Sequence, residues 1–128
     1  MGDACGTRET VMPELIRRGD VYLARLSPSE GSEQSGQRPV VVVSRDAINA
    51  NSPVVVIVPV TDRANKPRIY PSHVILKAGD GGLAIESVAL TEQVRAINKT
   101  RLIEYYGHVA PRSMMAIDSA LKITLDLP

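Results

Sequence analysis

The sequence lacks phenylalanine and tryptophan, and only four tyrosines supply aromatic rings. The core of this 128-residue chain must therefore be built from aliphatic side chains, which dominate its 44% hydrophobic content. Many of them are valine and isoleucine in short runs, and β-branched side chains suit a pleated strand better than a helix. The composition predicts a mainly β protein, and the length is that of a single domain.

Cysteine and long apolar runs are also scarce. Cys5 is the only cysteine, so an internal disulfide is excluded and nothing points to an oxidising compartment. No apolar run approaches the roughly 20 residues that a membrane span requires, and the N-terminus lacks the apolar middle region of a signal peptide. We therefore expect a cytoplasmic protein without a membrane segment. We expect residues 1–13 to be an N-terminal extension, disordered or a tag, and residues 14–128 to form one domain.

Charge of one sign is not in excess, because 15 Lys and Arg face 14 Asp and Glu and leave a net charge of +1. This balance excludes an overall polyelectrolyte effect but leaves room for a local anion site. The basic residues cluster at Arg17-Arg18, at Arg63, Lys66 and Arg68, and at Arg95, Lys99 and Arg101. Each cluster is either a solvated face or part of a binding site.

The hydrophobic pattern predicts short strands joined by polar loops. The strands are expected at about Asp20–Leu26, Val40–Val43, Val54–Thr61, His73–Leu76, Ser87–Ile97 and Ile103–Val109. The period then changes to three and four residues after Pro111, which predicts one C-terminal helix. Such an order favours a small, strongly curved sheet or barrel, and the absence of helix–strand alternation and of a glycine-rich phosphate loop argues against a doubly wound nucleotide-binding fold.

Arg38 stands where a polar loop meets the buried run Val40–Val43. Its backbone would be anchored by the strand while its guanidinium, with five fixed donors, reaches a phosphate. The alternative is a surface arginine paired with Glu33 of the same loop.

Thr61 ends the most apolar strand, next to Asp62. Its hydroxyl either caps the following turn or donates a hydrogen bond to a phosphate oxygen.

Five segments together resemble the MazF/PemK family of toxins. They are Arg18-Gly-Asp-Val-Tyr22, Gly31-Ser-Glu-Gln34, Arg38-Pro-Val-Val-Val-Val-Ser44, Pro59-Val-Thr61 and Thr91-Glu-Gln-Val-Arg-Ala-Ile-Asn-Lys-Thr-Arg-Leu102. Each motif alone is weak, but five in the same order and spacing, over about Arg18 to Leu127, are specific. The resemblance implies a mainly β fold with a C-terminal helix, the compact SH3-like barrel of the MazF/PemK/CcdB type.

The resemblance also implies an activity, that of an endoribonuclease cleaving single-stranded RNA at short sequences without a metal. Attack by the 2′-hydroxyl would give a cyclic phosphate and a free 5′-hydroxyl. The family's catalytic arginine corresponds to Arg38 and its catalytic threonine to Thr61, while its loop glutamate corresponds to Glu33, as a base or as a residue that orients Arg38. Asp62 departs from the family, in which a small or hydroxyl residue is frequent, and is expected to weaken RNA binding or alter base preference.

RNA contacts are expected from two further groups of residues. In the family the Glu-Gln-x-Arg stretch lies near the RNA, which points to Gln93 and Arg95. From the polar loops and the strand start that follows them we add Ser32, Gln37, Arg63, Arg68 and His73. For His73 the alternative is a structural role at a strand end.

The resemblance implies no cofactor, and two histidines and one cysteine without tight spacing provide no metal site. It implies a homodimer and a small MazE-like antitoxin whose acidic, disordered tail covers the RNA path. Two other functions stay open: a non-enzymatic poison of gyrase, resembling CcdB, and a barrel module that binds nucleic acid or protein without cleaving. The presence of both Arg38 and Thr61 favours the nuclease.

Overall fold

The computed structural model describes residues 13–26 and 36–128. Seven strands and two helices follow one another in the described chain. The strands are β1 (Asp20–Leu26), β2 (Gly36–Val42), β3 (Val54–Asp62), β4 (His73–Leu76), β5 (Ser87–Leu90), β6 (Arg95–Asn98) and β7 (Leu102–His108), and the helices are α1 (Asp46–Asn51) and α2 (Pro111–Leu125). The mainly β architecture with a C-terminal helix is therefore confirmed.

All strand pairs are antiparallel, and the sheet runs in the order β4-β5-β3-β2-β1-β7, with β6 paired to β3 outside this path. Among the described residues β4 and β7 do not pair, so the sheet is strongly bent rather than a closed ring. Strand β3 causes much of the bend, because its first half pairs with β6 and its last residues pair with β5. Pro59, which has no N–H to donate, lies between these two ladders, where a missing donor disturbs the pairing least.

Alternation along the strands creates two cores, one on each face of the sheet. The first lies under α2, where Val58 and Val60 of β3 pack near Ile117 and Ala120 of the helix. The second core contains Tyr22, Ala24, Leu26, Val40, Val42, Val55, Ile57, Ile97 and Leu102. Both faces being buried explains why β2 and β3 are runs of valine and isoleucine rather than alternating polar and apolar residues.

Arg18 ties three elements together, so the first basic cluster has a structural role. Its backbone N–H donates to Asp46 of α1 at 2.7 Å, and its Nε donates to the Val43 carbonyl at 3.0 Å. Its guanidinium also forms an ion pair with Asp118 on α2. A bidentate pair of this kind fixes orientation as well as adding energy.

One sequence prediction about the strands was wrong. The expected strand Ser87–Ile97 is broken by a single 3-10 turn at Thr91–Gln93 into β5 and β6. The Thr91 hydroxyl donates to the Ser72 carbonyl at 2.6 Å and lies 2.8 Å from the Thr124 hydroxyl, which fixes the turn from outside. Strand β2 also begins earlier than expected, at Gly36.

No helix in the described chain is long and apolar enough to span a membrane.

Candidate active site

Arg38 lies near the start of β2, opposite Ala24 of β1. It is half-buried and precedes Val40 by two residues, so it shares the sheet face of the second core. Strand β1 ends and strand β2 begins at this same end of the sheet. Arg38 thus emerges at the rim of an apolar face, anchored by the strand as the sequence predicts.

Thr61 lies at the same end and on the same face as Arg38. The register of β2 and β3 pairs Val40 with Pro59, and Arg38 and Thr61 are each two residues beyond that pair in the direction of this rim. Since residues two apart on a strand point to one face, Thr61 shares the face of Ile57, which belongs to the second core. The two side chains proposed for catalysis therefore project from neighbouring strands at one rim.

Arg95 joins this face from the other side of β3. It begins β6 and pairs with Ile57, and Ile97, two residues further, packs in the second core. Gln93 lies just before it, in the turn Thr91–Gln93. The positive charges of Arg38 and Arg95 thus lie on the same sheet face as Thr61, an arrangement suited to the backbone of a nucleic acid.

A side chain in the turn after β3 donates a hydrogen bond to the Thr61 hydroxyl. Asn65 donates from its side-chain amide to Thr61 Oγ1 at 3.1 Å, and Thr61 itself is only 4% exposed. Asp62 caps this turn, since its carboxylate accepts from the Ala64 N–H at 2.9 Å. The acidic residue at position 62 therefore shapes the loop beside Thr61, as an Asx turn does.

The two loop arginines expected to bind RNA differ in their surroundings. Arg63 turns back on its own loop and donates from Nη1 to the Lys66 carbonyl at 2.5 Å, while its backbone N–H donates to the Glu86 carbonyl at 3.0 Å. Arg68 is exposed. Gln37 is exposed on β2 and pairs with Arg25. Of these residues, Arg63 has the clearest structural role.

His73 is held on both ring nitrogens, and its side chain is 5% exposed. Nδ1 accepts from the Tyr70 N–H at 3.2 Å, so Nε2 carries the proton that faces Glu92 at 3.3 Å. The Tyr70 ring packs edge-on against the imidazole. This arrangement favours the structural alternative for His73, which joins the 62–72 loop to the Thr91–Gln93 turn.

Two residues near the site were not singled out from the sequence. Asn65 is one, and its contact with Thr61 depends on a 3-10 turn that no hydrophobic period signals. Arg101 is the other, since its Nη1 donates at 3.1 Å to the carbonyl of Arg25, whose strand partner is Gln37. The sequence signals for Arg101 were its membership of the third basic cluster and its place in the segment Thr91 to Leu102.

Ser32 and Glu33 lie outside the described residues, so their predicted roles stay predictions. Within residues 13–26 and 36–128 no group of three or more His, Cys, Asp or Glu side chains is placed to hold a metal ion.

Comparison with known families gives a match over residues 17–125 to the model for the PemK-like, MazF-like toxin of type II toxin-antitoxin systems. The chain belongs to this family. The match covers most of the chain and includes each of the five segments that carried the resemblance.

Several solved structures resemble the chain over nearly their whole length. An endoribonuclease from a mycobacterial species is 28% identical, with 90% of this chain and 95% of that chain covered and a TM-score of 0.73. An endoribonuclease in complex with its cognate antitoxin, also mycobacterial, is 28% identical, with 91% and 98% covered and a TM-score of 0.69. MazF from Deinococcus radiodurans is 26% identical, with 90% and 100% covered and a TM-score of 0.76.

Proposed function

We propose that this PemK/MazF-type toxin is a sequence-specific, metal-independent endoribonuclease that cleaves single-stranded mRNA in the cytoplasm. The observation that carries the proposal is the placement of Arg38 and Thr61 on neighbouring strands, at one rim and on one face of the sheet. The similar mycobacterial endoribonuclease, matched over 90% of this chain, supports it.

Arg38 and Thr61 would act on the phosphate that is cleaved. The 2′-hydroxyl oxygen bonds to phosphorus as it loses its proton, and the bond from phosphorus to the 5′ oxygen breaks as that oxygen gains a proton. Negative charge builds up on the non-bridging oxygens, where the Arg38 guanidinium and the Thr61 hydroxyl donate hydrogen bonds. Glu33 is proposed as the base or as the group that orients Arg38. The products are a cyclic phosphate and a free 5′-hydroxyl.

The RNA on either side of this phosphate would lie across the face that carries Arg95. We propose contacts from Gln93 and Arg95 beside β3. We also propose contacts from Gln37 on β2, from Ser32 in the preceding polar segment and from Arg68 in the 62–72 loop. Arg63 and His73 are held by protein partners. Their contribution to RNA binding is therefore expected to be indirect, through the shape of the 62–72 loop.

Substitution of the two central residues tests the assignment. Arg38→Ala should lower the rate of cleavage of a short single-stranded RNA by roughly 10²–10³, because one preorganised donor to the developing charge is removed. Thr61→Ala should also impair cleavage, and Thr61→Ser, which keeps the hydroxyl, should retain more activity than Thr61→Ala.

Arg45→Ala is the matched control, because Arg45 is exposed and follows the opposite end of β2. Its cleavage rate should equal that of the unsubstituted protein. Thermal unfolding must show that all variants are folded. Near-normal cleavage by a folded Arg38→Ala protein would rule out the assigned site.

We also propose a homodimer. Strand β4 forms one end of the described sheet path, and beside it runs a groove of about 440 Å³ between β4 and α2. Ile75 and Ile123 line this groove and are 42% and 59% exposed. An apolar strip along a strand edge is a suitable surface for binding a second copy of the chain. In a dimer with a two-fold axis, the same strip of each chain packs against the other.

An antitoxin is the proposed regulator, since the similar mycobacterial endoribonuclease is in complex with its cognate antitoxin. Its acidic tail would cover the face that carries Arg38 and Arg95 and would also contact Arg68, which is exposed in the 62–72 loop, with an association that weakens at high salt. Arg68→Glu should weaken binding of such a tail, whereas Arg112→Glu on α2 should not. Equal affinities of both variants at low and high salt would exclude this docking face.

A further inference from the structure

Neither the sequence motifs nor the family match assigns a role to Asn65, and the role inferred for it rests on the proposed function of Thr61. A hydroxyl has one hydrogen to donate and two lone pairs to accept, and its hydrogen rotates to suit its neighbours. A threonine that must donate to a phosphate is therefore helped by a neighbour that fixes this rotation. Asn65 is placed to do so.

The Asn65 side-chain amide donates to Thr61 Oγ1 at 3.1 Å. This bond occupies an acceptor lone pair of the hydroxyl and directs its hydrogen away from the amide. A donor on the oxygen also polarises the O–H group and makes it a better donor in turn. Because Thr61 is only 4% exposed, few water molecules compete for this oxygen.

The turn that carries Asn65 is fixed independently of Thr61. Asp62 accepts from the Ala64 N–H at 2.9 Å, and the Lys66 N–H donates to the Arg63 carbonyl at 3.0 Å. Arg63 closes the turn from both sides, through its backbone bond to Glu86 and its side-chain bond to the Lys66 carbonyl. These contacts place the amide four residues after Thr61 on a braced support, which is what preorganisation of a catalytic hydroxyl requires.

We propose that Asn65 is a positioning residue that holds the Thr61 hydroxyl with its hydrogen free to donate to the phosphate being cleaved. Asp62 and Arg63 serve it by shaping the turn. In this role Asn65 acts on the rate of the chemical step and leaves the binding of RNA unchanged.

A double-mutant cycle with separate kcat and KM tests the proposal. Asn65→Ala should lower kcat about tenfold, the rate equivalent of one neutral hydrogen bond, with KM unchanged. In a Thr61→Ala background the same substitution should have no effect on the residual rate, because the hydroxyl that Asn65 positions is gone. The melting temperature should change little, since Asn65 is exposed.

Asn65→Asp gives a second, near-isosteric measurement. The carboxylate accepts instead of donating, so the Thr61 hydroxyl should donate to it and kcat should fall at least as far as in Asn65→Ala. Asn51→Asp is the charge control, because it makes the same change at an exposed position on α1, outside the turn that carries Asn65. It should leave kcat unchanged.

The outcomes separate this inference from the proposed function. If Thr61→Ala abolishes cleavage but Asn65→Ala and Asn65→Asp do not lower kcat, the positioning role is wrong and the site stands. If Asn65→Ala slows cleavage equally with and without the Thr61 hydroxyl, Asn65 acts on RNA or on the fold and the inference is again wrong. If Thr61→Ala itself cleaves normally, the proposed site has failed.

Discussion

A single buried side chain, Tyr22, illustrates how an unpaired polar group lowers the stability of this protein. Its ring is fully buried in the second core and packs edge-on against Tyr105, with centroids 5.3 Å apart. Among the described residues its hydroxyl has no hydrogen-bond partner. Burial, aided by the nearby Asp20 carboxylate, raises the pKa of Tyr22 far above its ordinary value. A buried hydroxyl without a hydrogen-bond partner lowers the free energy of unfolding, and burial of the apolar ring offsets this loss.

Tyr22→Phe is therefore expected to raise the free energy of unfolding by about 1 kcal/mol at neutral pH. The gain should grow above about pH 10, where an unfolded tyrosine ionises. The sign follows from the raised pKa: the folded state keeps the Tyr22 proton while the unfolded state releases it, so the unsubstituted protein loses stability as pH rises. Urea unfolding at pH 7 and pH 10.5 measures both effects.

The control for this measurement is Tyr70→Phe, because Tyr70 is 52% exposed. It should leave the stability at pH 7 unchanged. A destabilised Tyr22→Phe protein would show that the hydroxyl has a partner that this account lacks.

At the scale of elements, turns decide where strands begin and end. Gly82, with φ of +77°, lies in the turn before β5, where an added Cβ would stand 2.1 Å from the Tyr106 carbonyl oxygen. Gly79 in the same turn has φ of +93°, but a Cβ there would meet nothing within 4 Å. The pair separates a steric clash from backbone strain alone.

Gly82→Ala should destabilise the protein severely, because β7 or the turn must move, whereas Gly79→Ala should cost only about 1–2 kcal/mol of left-handed strain. Thermal unfolding of both variants measures the difference. Equal melting temperatures would mean that the turn does not pack against β7 as described.

The elements also show how far the sequence alone leads. Strand runs, the helix after Pro111 and the positions of Arg38 and Thr61 at strand ends follow from local periodicity, which is a short-range signal. The break at Thr91 does not, because its hydroxyl partners are Ser72 and Thr124, 19 and 33 residues away. The contact of Asn65 with Thr61 and the inward turn of Arg63 likewise depend on side-chain geometry within a loop, which no hydrophobic pattern encodes.

The proposed homodimer fixes the mass of the protein in solution. Light scattering at micromolar concentration should give twice the mass of one chain. Ile123→Lys should shift the protein to monomer, because a buried lysine in the groove between β4 and α2 lacks a partner. Ile85→Lys is the control, since Ile85 is 50% exposed but does not line the groove, and it should stay dimeric. A monomeric unsubstituted protein, or a dimeric Ile123→Lys, would contradict this interface.

The proposed site of Arg38 and Thr61 cleaves RNA by attack of the RNA's own 2′-hydroxyl, and this chemistry has a direct test. The most direct measurement incubates the purified protein, in excess EDTA, with a single-stranded RNA and with the same RNA carrying one 2′-deoxy substitution at the cleaved nucleotide. We expect fragments with 5′-hydroxyl and cyclic phosphate ends from the first RNA, and no cleavage at that position of the second. Cleavage of the 2′-deoxy position, 5′-phosphate ends, or no fragments until a divalent metal is added would contradict this chemistry.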